Sequence, residues 1–154
     1  MTVLVWDGKT LASDSRTTAG DDIVSDIAPK IYCLKDQEVD YMGDKIEAIA
    51  IAGRCSDSDR LLSFILTEGF GGELEHRTNA ILVGKKYVYS LEEKTTWLIR
   101  YNKSHKVAEG SGCVWALSAL RLGLDSVSAA KHAVKNCTSC GGKISTWPKS
   151  KDKK

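Results

Sequence analysis

The stretch Ser13-Asp14-Ser15-Arg16-Thr17-Thr18-Ala19-Gly20-Asp21-Asp22-Ile23-Val24-Ser25-Asp26-Ile27-Ala28-Pro29-Lys30, taken together with Thr2, decides the fold. Asp14 and Arg16 fall on one side of an extended run, and Lys30 follows sixteen residues after Asp14. Alone, these residues describe a polar loop between two strands, holding a turn aspartate and a surface lysine. Thr2 adds a chemistry. A cytosolic methionine aminopeptidase readily removes Met1 ahead of a residue as small as threonine, and the mature chain then opens on Thr2. A free N-terminal threonine carries a nucleophile and a base on one residue: the hydroxyl attacks, and the α-amine, with an ordinary pKa of about 7.7–8.0, accepts the proton.

The segments on either side of this stretch supply strands. Thr2 to Trp6 is rich in β-formers, Asp7-Gly8 signals a turn, and Lys9 to Ser13 can return as a hairpin partner, which sets Asp14 beside Thr2. Thr17 to Ser25 holds a further turn at Ala19-Gly20-Asp21-Asp22, and Lys30 to Leu34 alternates in strand fashion. Antiparallel strands thus gather Thr2, Asp14 and Lys30. Ile46 to Ala52 is an almost continuous apolar run, as expected of a strand buried on both faces, and Gly53 ends it. Ser56 and Asp59 have the spacing of a capping box, ahead of a helix to about Glu68 with Leu61, Leu62, Ile65 and Leu66 on one face, stopped by Gly69, Gly71 and Gly72.

Ala80 to Val83 and Tyr87 to Leu91 flank Gly84-Lys85-Lys86 as a hairpin, and Thr96 to Tyr101 is a further strand candidate. From Ser111 the period becomes helical, with Val114, Leu117, Leu120 and Leu122 spaced for a helix, Ala116 and Ala119 permitting close packing, and Gly123 as a breaker. Asp125 or Ser126 can cap a second helix carrying Val127, Ala130, Ala133 and Val134 on one face, and Lys143 to Trp147 can return as a last strand. The order is strands, helix, strands, two helices, strand: mixed α and β content with antiparallel hairpins.

The 154 residues suit one domain, expected over 1–148, with a solvated lysine-rich tail over 149–154. Twenty-two basic and twenty acidic residues nearly balance, so charge points to neither nucleic acid nor an anionic membrane as partner. Trp6, Trp97, Trp115 and Trp147 are spread through core elements and form no base-stacking motif. Val3 to Trp6 is too short and lacks the basic flank of a signal peptide, and no run is long enough to span a bilayer. Five cysteines, an odd number spread through apparent core segments, fit a reducing cytoplasm better than a disulfide framework. Cys137-x-x-Cys140 lacks a second pair or nearby histidines, and His76, His105 and His132 lie in polar or helical contexts, so neither metal nor cofactor is expected.

Thr2, Gly8, Asp14, Ser15, Arg16, Thr18, Gly20 and Lys30 together resemble the N-terminus of proteasome β subunits and of the bacterial peptidase HslV, which open on a processed threonine and carry D-S-R-x-T-x-G and then a lysine. Ile49 to Asp57, an apolar strand ending in Ala52-Gly53 and followed by a helix with an early aspartate, and Gly110-Ser111-Gly112 ahead of a small-residue helix agree with that family and come in its order. The resemblance implies a four-layer αββα sandwich of two antiparallel sheets, the N-terminal nucleophile hydrolase fold of the α+β class. It also implies a threonine peptidase acting on peptides or unfolded chains, a homo-oligomer, possible ring assembly and an ATP-dependent unfoldase as partner.

Residue by residue, the resemblance implies that Thr2 is the nucleophile, that Lys30 favours its deprotonated hydroxyl, that Asp14 orients Lys30 and that Ser111 supports the threonine amine. Gly53 offers its N–H to the oxyanion, Thr18 pairs with substrate backbone, Ile51 lines the side-chain pocket and Arg16 is a brace. One departure stands out: proteasome subunits usually place an aspartate in an R-D-x-x-S-G segment after the last long helix, where this chain has Asn136-Cys137-Thr138-Ser139-Cys140-Gly141. HslV also differs there. Two other readings stay open, an amidohydrolase for small amides using the same threonine chemistry, and a catalytically silent assembly subunit.

Overall fold

A computed structural model describes residues 2–74, 78–91 and 94–149. The chain forms β1 (Val3–Trp6), β2 (Leu11–Ser13), β3 (Thr17–Ala19), β4 (Asp22–Ser25), β5 (Ile31–Cys33), β6 (Asp40–Tyr41) and β7 (Asp44–Ala52), followed by α1 (Cys55–Thr67). It continues through β8 (Asn79–Gly84), β9 (Tyr87–Leu91), β10 (Leu98–Asn102), β11 (Val107–Gly110), α2 (Cys113–Arg121), α3 (Ser126–Asn136) and β12 (Ser145–Trp147). One sheet has the order β11-β1-β2-β12 and a second the order β10-β9-β8-β7-β5, with β6 also on β7; the pairs are antiparallel, and β3 and β4 form a separate hairpin.

Strand alternation builds the layers. Side chains of successive strand residues point to opposite faces. Val3, Val5 and Ala12 therefore pack on Ala116, Ala119, Leu120, Ala129, Ala130 and Ala133 of α2 and α3, whereas Leu4, Trp6 and Leu11 face the second sheet. That sheet answers with Ala48, Ala50, Ala52, Ile81, Val83 and Val88. Its other face sets Ile46, Ile49, Ile51, Ala80, Leu82 and Tyr89 against Leu61 and Ile65 of α1. The result is the expected αββα order: α2 and α3, sheet, sheet, α1. Trp6 satisfies its indole N–H by donating to the Lys103 carbonyl at 2.8 Å, so the largest side chain between the sheets leaves no orphan donor.

Several details depart from the sequence expectations. The Ser56/Asp59 capping box does not form: α1 begins at Cys55 with Arg54 as N-cap and no side-chain cap, because β7 runs directly into the helix and the Arg54 carbonyl takes the Asp57 and Ser58 amides. Leu66 is exposed, and in α2 the buried stripe is Ala116, Ala119 and Leu120, whereas Val114 and Leu122 face outward. Of the two candidate caps of α3, Asp125 is the one used, accepting from the Ser128 amide at 2.7 Å. Trp97 and Trp115 are exposed, and of the five free cysteines only Cys140 is buried. Strand β11 was not anticipated. His76 and the tail beyond Lys149 lie outside the described residues.

Candidate active site

Thr2 immediately precedes β1 and Asp14 immediately follows β2, so the register Leu4 to Ser13 and Trp6 to Leu11 brings the two together, with the Asp14 amide donating to the Val3 carbonyl at 3.3 Å. The segment from Ser15 to Lys30 leaves this point and returns to it. Ser15 Oγ donates to the Asp26 carbonyl at 2.5 Å, the Ala28 amide donates to the Ser15 carbonyl at 3.0 Å, and Arg16 Nε pairs with Asp26 at 2.8 Å. Arg16 Nη1 also reaches the Cys140 carbonyl at 3.3 Å, which fits its expected part as a brace. Lys30 is then anchored ahead of β5, its carbonyl accepting from the Ile51 amide at 2.9 Å.

Lys30 Nζ donates to Thr2 Oγ1 at 2.5 Å, to Asp14 Oδ1 at 2.9 Å and to the Arg16 carbonyl at 2.7 Å. An ammonium has three N–H donors and no acceptor, and here the three oxygens match them. Lys30 in this state cannot take the hydroxyl proton of Thr2; it can stabilise the oxygen left behind. All three residues are removed from solvent, Thr2 at 4 %, Asp14 at 0 % and Lys30 at 8 % exposure. Burial pulls the Lys30 pKa below its ordinary 10.5, against the opposing pull of the Asp14 charge. Asp14 is held from three sides: Oδ1 also accepts the Val3 amide at 3.0 Å, and Oδ2 accepts the Gly141 amide at 2.9 Å. A buried carboxylate with three charge-assisted hydrogen bonds is a rigid anchor for the lysine.

On the other side of Thr2, its backbone nitrogen donates to Ser111 Oγ at 3.0 Å, and the Gly112 amide donates to the Thr2 carbonyl at 3.3 Å. Gly110, at the end of β11, has φ +89°, and a Cβ there would run into the Thr2 carbonyl oxygen. Thr2 also sits where two clefts meet. One, of about 630 Å³, is lined by Thr18, Gly20, Ala52, Gly53, Asn79 and Gly110. The other, of about 290 Å³, is lined by Lys30, Tyr32, Ile51, Cys55, Ser58 and Asp59. Thr18, Gly53 and Arg54 border both.

The structure therefore brings together Thr2, Asp14, Lys30 and Ser111, and sets Thr18, Gly53 and Ile51 along the adjoining clefts. Sequence reasoning missed Gly141, whose N–H holds the second oxygen of Asp14; a partner 127 positions away leaves no local signal. Among the described residues, no group of three or more His, Cys, Asp or Glu side chains gathers as a metal site, and no helix is long and apolar enough to cross a membrane.

No protein-family model and no curated protein matches the chain. Solved structures do. The chain is similar to HslV from Trypanosoma brucei, with 17 % identity and a TM-score of 0.69 over 94 % of this chain and 96 % of that one. It is also similar to BPH from Thiobacillus denitrificans, solved in complex with epoxomicin, with 16 % identity and a TM-score of 0.62 over 96 % and 97 % of the two chains. Two antiparallel sheets between helices, matched over nearly the full length of both relatives, give this chain the HslV and proteasome type of N-terminal nucleophile hydrolase fold.

Proposed function

We propose that this protein is a threonine-type peptidase that hydrolyses peptide bonds of peptides or unfolded chains once Thr2 has become the first residue. The observation that carries this reading is the Lys30 ammonium 2.5 Å from Thr2 Oγ1, backed by buried Asp14. With Met1 attached, the Thr2 nitrogen is an amide and not a base; removal of Met1 turns it into an α-amine still tied to Ser111. That amine takes the hydroxyl proton as Oγ1 attacks the substrate carbonyl, and Lys30 stabilises the developing alkoxide. The Gly53 N–H faces the oxyanion. The amine then protonates the leaving nitrogen, and the acyl ester on Oγ1 is hydrolysed by a water that the same amine deprotonates.

Thr18 and Gly53 line the larger cleft together with Thr2, where an extended substrate backbone would lie, and a neighbouring side chain enters the smaller cleft beside Ile51 and Tyr32. The volume of the first cleft, about 630 Å³, favours a chain over a small amide, and the Lys30 contact favours a working site over a silent subunit. Residues 1–148 form the peptidase domain in this reading, and 149–154 a lysine-rich tail. Homo-oligomeric assembly, a ring fed by an ATP-dependent unfoldase and a cytoplasmic location complete the proposal, on the strength of the likeness to HslV.

Hydrolysis assays on an unfolded protein, a fluorogenic peptide and a small amide test this reading, using protein that begins at Thr2. Cleavage of the first two, lost in Thr2→Ala and reduced about hundredfold or more in Lys30→Met, is the expected result. Hydrolysis of the small amide alone replaces it with the amidohydrolase reading, and inertness toward all three with the silent-subunit reading.

A further inference from the structure

The turn after α3 carries two thiols that the proposed reaction does not use. The Cys140 amide donates to the Cys137 carbonyl at 3.1 Å, so the two cysteines are the first and last residues of a β-turn. Such a turn holds its end Cα atoms within about 7 Å, and a disulfide needs about 4.4–6.8 Å. Both side chains belong to the same hydrophobic cluster, Cys140 within it and Cys137 packed against it. Both are free thiols, Cys137 partly exposed and Cys140 buried. Cys137 Sγ lies 3.3 Å from Ser139 Oγ, within hydrogen-bonding distance.

We propose that Cys137 and Cys140 form a reversible dithiol–disulfide site, oxidised by low-molecular-weight disulfides, whose state is transmitted to the Asp14 carboxylate. The balance is that of ordinary exchange. The Cys137 thiolate attacks one sulfur of glutathione disulfide, the S–S bond breaks and one glutathione thiolate leaves. Cys140, giving its proton to solvent, attacks the Cys137 sulfur of the mixed disulfide and expels the second glutathione. Two protein thiols are oxidised, and one glutathione disulfide is reduced to two thiols.

The division of labour follows from the surroundings. Burial raises the Cys137 thiol pKa, but the Ser139, Cys140 and backbone hydrogen bonds outweigh it and leave the value below the ordinary 9.0, as suits the attacking thiol. Burial, its contact with Cys137 and the nearby Asp14 charge push the Cys140 thiol up to about 12, which keeps it protonated until Cys137 has been modified.

Transmission rests on what Cys140 touches. Its Sγ packs against Gly112, where a Cβ would collide with it, and Gly112 follows Ser111 and donates to the Thr2 carbonyl. Its carbonyl accepts from Arg16, and the next residue, Gly141, donates to Asp14 Oδ2 and accepts from the Ser15 amide at 3.1 Å. Drawing Cys140 Sγ out of the core toward Cys137 shifts the Gly141 N–H off Asp14.

The site is read by mass, independently of whether the protein hydrolyses anything. The protein is equilibrated in glutathione buffers of increasing oxidation, alkylated and cut with trypsin, and the fragment from Asn136 to Lys143 is weighed. The expected result is a fragment that carries no alkyl group and weighs two hydrogens less than the free dithiol, and that takes up two alkyl groups when dithiothreitol precedes alkylation. Cys140→Ser should stop at the glutathione adduct on Cys137, while Cys137→Ser should leave Cys140 unmodified. Hydrogen exchange at the Gly141 amide should accelerate by about tenfold or more on oxidation, as loss of a buried bond to a charged group implies. Glutathione adducts alone, or two thiols that remain alkylatable, would overturn the site; a disulfide with unchanged Gly141 exchange would overturn its link to Asp14.

Discussion

Lys30 is the residue on which the proposed chemistry turns, because one buried ammonium joins Thr2, Asp14 and the Arg16 carbonyl. Its lowered pKa has a consequence for folding. Between the folded value and the unfolded 10.5, the unfolded chain binds more protons, so stability rises with pH through that window. Urea unfolding at pH 8 and pH 10 should show a gain at the higher pH in the parent that Lys30→Met lacks. Lys30→Met should also be less stable by about 3 kcal/mol near neutrality, since it leaves Asp14 as an uncompensated buried charge. Gly53 behaves differently. A Cβ there would meet Thr78 Cγ2 at 3.5 Å, an ordinary contact, with no demand for a left-handed backbone. Gly53→Ala should therefore unfold at the parental urea midpoint while peptide hydrolysis falls, which separates a need of the substrate from a need of the fold.

At the scale of elements, β11 and the hairpin β1–β2 present Thr2 from both sides. Gly110 is the point where β11 passes closest to it. Gly110→Ala combines a left-handed backbone position with a methyl group aimed at the Thr2 carbonyl, and should cost about 2 kcal/mol in a denaturant titration while lowering Thr2 reactivity. The elements differed in how legible they were. β1 and β7 could be read from their apolar runs, because burial on both faces imposes that pattern. Val107-Ala108-Glu109-Gly110 has no such run; it is a strand because β1 pairs with it, from Val3–Gly110 to Trp6–Val107, and pairing across a hundred residues leaves no periodicity. The start of α1 misled for a related reason, since the backbone path out of β7 replaced the side-chain cap that Ser56 suggested. The same holds at the site: Thr2, Asp14 and Lys30 stand in one N-terminal stretch, whereas Gly141 reaches Asp14 only through the complete fold.

Across the whole molecule, two sheets with alanines on the β7 face and large side chains on the β1 face bring the hairpin end and the β7 end to a common edge, where the two clefts open. The central claim is that Thr2, freed of Met1, is a working nucleophile at that edge. Intact mass of untagged protein, before and after incubation with a peptide epoxyketone, tests it most directly. A mass lacking Met1, followed by a single covalent adduct that maps to Thr2 and is absent from Thr2→Ala, is the predicted result. Protein that begins at Thr2 and forms no adduct, or that forms the same adduct in Thr2→Ala, would contradict it.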